Sequence, residues 1–268
     1  MKEEFKIPYI ITTIIIMLSV VASVGGLLLS SLYNDNEFVK IVWKSNDLLT
    51  LILVIPIMIL VLVMYKRSKH LAQIIWMGTL GYMIYNYIFY LYGASFNYFF
   101  LIYVFLFTFS TYALILMLLK TNADEFMSWF SEKVPAKRIS IFMFSFAVVL
   151  GGMWIGISVS YVITNVVPMT ITQTGHPTSV VFATDLSFLI SGMVVSGILL
   201  WKKNIWGYIF SSIVLFKATT YGLVLIVMTI IMYVKTGLKD PILPLYIFLW
   251  LGSLISLISL LKRRNPEC

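Results

Sequence analysis

Charge is in short supply: only 11% of the 268 residues are Asp, Glu, Lys or Arg, against about 25% in an ordinary soluble domain. That is too little polar material to coat a soluble globule. Metal-ligating and redox side chains are scarcer still. The chain has one cysteine, Cys268, and two histidines, His70 and His176, that fall in different loops. No Cys/His cage can be assembled from them, which excludes a zinc or haem centre of that kind and any internal disulfide. No P-loop, G-x-S-x-G, H-E-x-x-H or glycine-rich dinucleotide fingerprint occurs. Catalysis by a familiar constellation is therefore not expected, and the residues name no cofactor.

Apolar side chains fill the chain instead, at 60% of the residues and a mean hydropathy of +0.98. Most of such a surface must face lipid. Each crossing of a bilayer core ~30 Å thick needs ~20 mostly apolar residues, and backbone polar groups in lipid must be satisfied within the segment. The runs are continuous rather than alternating, which favours helices over barrel strands. Windows between charged or Pro/Gly breaks place spans near 7–33, 47–65, 71–93, 98–119, 140–163, 178–201, 206–234 and 243–261. The expected fold is all-α, a polytopic membrane bundle of about eight transmembrane helices. The first window runs apolar to about Leu32 without an A-x-A-like cleavage site, and so reads as a retained span.

A net charge of +8 can signal nucleic acid, but here the basic residues sit at span ends rather than on one soluble face. Placing the N-terminus inside puts Lys2, Lys6, Lys66, Arg67, Lys69, Lys120, Lys133, Lys137, Arg138, Lys202, Lys203, Lys262, Arg263 and Arg264 on the cytoplasmic side. Only Lys40, Lys44, Lys235 and Lys239 are left outside. This positive-inside bias predicts a cell-membrane protein with both ends cytoplasmic. Trp43, Trp129, Trp201 and Trp206 fall at the predicted interfaces, where indole rings anchor. The connector carries Phe126, Trp129 and Phe130 among Asp124, Glu125, Glu132 and Lys133, a pattern that suits either a short helix on the inner leaflet or a polar linker.

Landmarks recur in the same order in the two halves. Gly25-Gly26 in span one matches Gly151-Gly152 in span five, and Asn46-Asp47-Leu48 matches Thr184-Asp185-Leu186. Tyr65-Lys66-Arg67 matches Trp201-Lys202-Lys203, and Tyr103 to Phe107 with Ser110 matches Tyr246 to Trp250 with Ser253. The expected organisation is a first four-span repeat over 1–120, a cytoplasmic linker over 121–139, and a second repeat over 140–268. Four spans return the chain to its starting side, so two copies are parallel about an axis along the membrane normal, and ligand sites tend to lie between such repeats.

Lys217 is the outlier in charge, about 11 residues or ~16 Å into its span. A charge at that depth faces the bundle interior or a water-filled cavity unless it is paired. Asp185 is its natural partner, and Asp47 is the repeat-related copy of Asp185. In span three Tyr82, Tyr85, Asn86, Phe89 and Tyr92 form one stripe at helical spacing. The expectation is a polar pocket in the outer half of the bilayer, lined by Asp47, Asn86, Tyr82, Tyr85, Asp185 and Lys217. The plainer alternatives are that the aspartates cap helices entering from outside, that Lys217 is a structural tether, and that the tyrosines only pack. Two small-residue ridges, Ser19, Ala22, Ser23 and Gly26 in span one and Gly152, Gly156 and Ser160 in span five, suit contacts within the bundle or a homodimer. Pro56 is expected to kink span two.

Lys217 followed by Tyr221-Gly222 superficially resembles the retinal-linking lysine of microbial rhodopsins. The spacing is one residue longer than in that pattern, an eighth span follows, and span three holds no acidic residue to serve as counterion; the chain is assigned to no family. Three function classes follow. The leading one is a small-solute or ion transporter, or a related sensor, whose partners are the bilayer and a small polar or anionic ligand. The second is a membrane-embedded enzyme acting on a lipid or isoprenoid through Asp47 and Asp185. The third is a structural or assembly protein.

Overall fold

The computed structural model describes residues 5–65, 69–130, 133–237 and 239–262; the ends of the chain and the basic stretch around Arg67 fall outside them. Twelve helices follow one another among the described residues: α1 (Lys6–Leu28), α2 (Glu37–Leu49), α3 (Ile55–Met64), α4 (Lys69–Tyr92), α5 (Phe100–Leu119), α6 (Ala123–Trp129), α7 (Ala136–Thr164), α8 (Met169–Thr172), α9 (Val180–Thr184), α10 (Ser191–Trp201), α11 (Ile205–Thr236) and α12 (Leu243–Lys262). Wider, π-type turns at Thr50–Val54 and Asp185–Ile190 join α2 to α3 and α9 to α10. Seven of the resulting rods are long and apolar enough to cross a membrane. The protein is an all-α multi-pass membrane bundle.

The remaining expected span, 71–93, folds as α4, which is not among those seven apolar rods, for a physical reason. Sixteen of its 24 residues are buried, because it packs against α3, α5 and α11. A helix surrounded by protein need not be apolar, and α4 carries Gln73, Thr79, Asn86 and five tyrosines in its sequence. Gly78 lets α11 approach closely, since a Cβ there would overlap the Phe216 ring.

The two π turns have different local causes. In the first, Pro56 offers no N–H to the preceding turn, and Ile55 reaches back to the Thr50 carbonyl in an i→i+5 bond. The expected kink is this widened turn. In the second there is no proline, but Ser187 Oγ donates to the Ala183 carbonyl at 2.5 Å and Ser191 Oγ to that of Ser187. Hydroxyls drawn back onto helix carbonyls compete with the backbone ladder and bend it.

Several boundaries and environments depart from the sequence reading. Span two begins ten residues early, at Glu37, where Asn36 caps the helix by accepting from Val39 N. Ser179 caps α9 in the same way. Neither Asp47 nor Asp185 is therefore a helix cap; each lies inside its rod, at or just before the π turn. Trp43 and Trp129 are interior rather than interfacial, at 5% and 4% exposure. Trp43 donates to Asp35, and Trp129 ends α6, where it and Phe126 are buried. The small ridge of α1 is buried, whereas Gly152, Gly156 and Ser160 of α7 are exposed and no atom crowds either glycine.

Candidate functional site

Two buried carboxylates organise the bundle, each taking one aromatic donor on each oxygen. In the first half, Tyr33 donates to Asp47 Oδ2 at 2.5 Å and Tyr90 to Oδ1 at 2.9 Å. Gly26 makes this possible, because any Cβ there would collide with the Asp47 carboxylate and the Tyr33 hydroxyl. Burial first, then the adjacent Asp47 charge, raise the pKa of Tyr33 above that of an ordinary tyrosine, which holds the phenol as a donor. Around this pair Asn46 donates to Asn86 Oδ1 at 2.5 Å and accepts from Tyr82 at 3.3 Å. Trp43 and Tyr103 close on Tyr90, each with centroids 4.9 Å away. The cluster is filled by its own side chains.

In the second half, Tyr85 donates to Asp185 Oδ1 and Trp154 Nε1 to Oδ2 at 2.9 Å. Phe182 stacks on Trp154 at 4.3 Å and holds the indole in place. Lys217 does not meet Asp185 directly. No ion pair within 4.0 Å joins them, and the other face of the contact is aromatic: Nζ lies 3.1 Å from the Tyr85 ring centroid and 4.9 Å from that of Tyr221. Tyr85 thus links the two charges, its hydroxyl on the carboxylate and its π face under the ammonium. Cation–π attraction strengthens when the cation is desolvated, and Lys217 is only 6% exposed.

Beside this triad is a cavity of ≈ 590 Å³, within the usual 300–1,000 Å³ of small-molecule sites. Its walls are mostly apolar: Phe146, Leu150 and Trp154 from α7, Leu225 and Met228 from α11, Leu249 and Trp250 from α12. Asp185, Lys217 and Tyr85 line its polar part, and residues from the 169–179 and 239–242 segments, with His176, Lys239 and Asp240, line its mouth. A smaller polar cavity of ≈ 290 Å³ at the other end surrounds the Lys69–Glu125 ion pair of 2.6 Å.

The six residues expected to share one polar pocket fall into two groups. Tyr85, Asp185 and Lys217 line the cavity; Asp47, Asn86 and Tyr82 belong to the closed cluster. The cavity is apolar where a polar one was expected, and most of its wall comes from the second half alone. Sequence reasoning missed Trp154, Tyr33, Tyr90 and Asn46. Tyr90 continues the α4 stripe four residues beyond Asn86 and was within reach of that pattern. Tyr33 lies in a loop, where no periodicity marks it. Among the described residues no three His, Cys, Asp or Glu side chains gather as a metal site.

No protein-family model, curated protein or solved structure matches this chain significantly.

Proposed function

We propose that this membrane protein binds a small molecule with an apolar body in the second-half cavity, as a carrier or sensor. The observation that carries the reading is the ammonium of Lys217, enclosed near the middle of α11, beside a cavity and with no carboxylate within 4.0 Å. A charge in that setting costs several kcal/mol unless compensated and marks functional sites in membrane proteins. Asp185 tunes the charge through Tyr85, and the closed Asp47 cluster serves as scaffold.

The same reading includes a duplicated chain, 1–120 and 140–268, joined by 121–139. Its support is the recurrence of a π turn in the second rod of each half, opening at Asp185 in one and three residues after Asp47 in the other. The lysine bias then puts the cavity mouth on the outer side of the cell membrane and both chain ends inside. A membrane enzyme working through both aspartates is less well supported, because Asp47 and Asp185 share no hydrogen-bond partner.

The test is thermal stabilisation of the purified protein in nanodiscs by n-decanol, a neutral apolar probe. A bound ligand raises the melting temperature with concentration. Ala218→Trp, which fills the cavity from its 6%-exposed lining position, should abolish the shift. Equal stabilisation of both proteins would mean that decanol acts through the lipid and that the cavity is not a binding site.

A further inference from the structure

Resting on that reading, the geometry points to a ligand class: we infer that the cavity takes an unbranched monocarboxylate, its head at Lys217 and its chain along α11. Beside Ala218, Gly222 and Thr229, α11 lines the cavity with Lys217, Tyr221, Leu225, Met228 and Met232, one stripe recurring every three or four residues. They cover about 22 Å of helix rise, so the space is elongated along α11. Apart from Lys217, Tyr221 and the Thr229 hydroxyl, the α11 lining is hydrocarbon and thioether, which suits an alkyl chain better than a polyol or a sugar.

The head is defined by what the deep end lacks. Lys217 Nζ makes no hydrogen bond or ion pair among the described residues; its contacts are the two ring faces. An ammonium has three donors and no acceptor, so an oxygen acceptor is the missing partner. A second unpaired donor lines the same cavity. Trp250 leans on α11 at Gly222, where a Cβ would meet its Cδ1 at 3.2 Å. That is little more than one turn above Lys217, and its Nε1–H is buried without an acceptor. Lys217 thus supplies the charge that an acidic head needs, and Trp250 offers a further donor on the same cavity wall.

Asp185 restricts the charge of that head. Its oxygens are already engaged by Tyr85 and Trp154, so the carboxylate cannot turn away, and a second negative charge on the ligand would face it at low dielectric. A phosphate dianion also wants a fork of donors or a helix N-terminus, whereas the deep end has one lysine on the middle of a helix. A monoanion meets Lys217 without overloading the site.

The experiment uses the full chain in nanodiscs, with empty nanodiscs subtracting partition, and reads quenching of tryptophan fluorescence. The probes are hexanoate, octanoate, decanoate, methyl decanoate, decylamine and decanol. Decanoate should bind at least tenfold tighter than its methyl ester, decylamine should bind weakest, and each added methylene should tighten binding about fourfold. Lys217→Gln should erase the preference for acid over ester while still binding decanol. If decanol binds and decanoate is no tighter than its ester, this inference falls and the cavity reading stands. If neither binds, both fall. If acids of every length bind equally, the chain assignment is wrong. Should Lys217→Gln fail to fold, the acid-to-ester ratio on the unmodified protein decides the matter alone.

Discussion

Asp47 and Asp185 each lie at or just before a π turn and meet similar chemistry, two aromatic donors apiece, yet their surroundings differ. Around Asp47 the chain supplies its own filling: Tyr33 comes in from a loop, Trp43 and Tyr103 pack behind Tyr90, and Gly26 allows the carboxylate against α1. Around Asp185 the partner from the first helix of that half is Trp154, and the space beyond it is left as a cavity. α4 serves both, giving Tyr90 to one aspartate and Tyr85 to the other. One half is built as a closed scaffold and the other as an open site. Lys217 also lines that cavity.

That contrast can be broken at its strongest point by Asp47→Ala. The change takes the acceptor from the buried Tyr33 hydroxyl and leaves Tyr90 only its long 3.4 Å contact with the Trp43 carbonyl, at about 1–3 kcal/mol for each stranded group. Thermal unfolding in detergent should show the largest loss of any change considered, with little effect on decanol binding in whatever remains folded. Gly26→Leu should follow, because a side chain forced against Asp47 and Tyr33 is overpacking worth about 1–3 kcal/mol. Asp185→Ala should cost less, about 1 kcal/mol, since Tyr85 and Trp154 border a cavity that admits water to replace the lost acceptor. Its main effect should be on ligand binding. If Asp47→Ala and Asp185→Ala destabilise equally, the distinction between scaffold and site is lost.

The smallest effect sharpens the comparison most. Gly152 is the expected counterpart of Gly26 in the second half, but no atom lies within 4 Å of where its Cβ would be. Gly152→Leu should therefore change stability by no more than about 0.5 kcal/mol, measured beside Gly26→Leu in the same detergent. A large loss at Gly152 would mean that the exposed face of α7 is covered by a second copy of the chain, and size-exclusion chromatography of the variant would then show a dimer falling to monomer.

The amino-acid sequence by itself determined that this is a helical membrane bundle and roughly where each rod runs. Lipid cannot satisfy backbone polar groups or solvate charge, so every crossing must appear as an apolar run, and such runs need no partner to be recognised. Lys217 and the α4 stripe were legible for the same reason, as polar groups standing out against that background. Only the tertiary structure decided which polar groups meet. Helix periodicity says which residues share a face but not what fills the space in front of it; Tyr33 arrives from a loop, Trp154 reaches across from α7, and Tyr85 turns its ring to Lys217 and its hydroxyl to Asp185. A cavity is what remains when side chains from several helices fail to fill a volume, and that sum exists only once the helices are packed together.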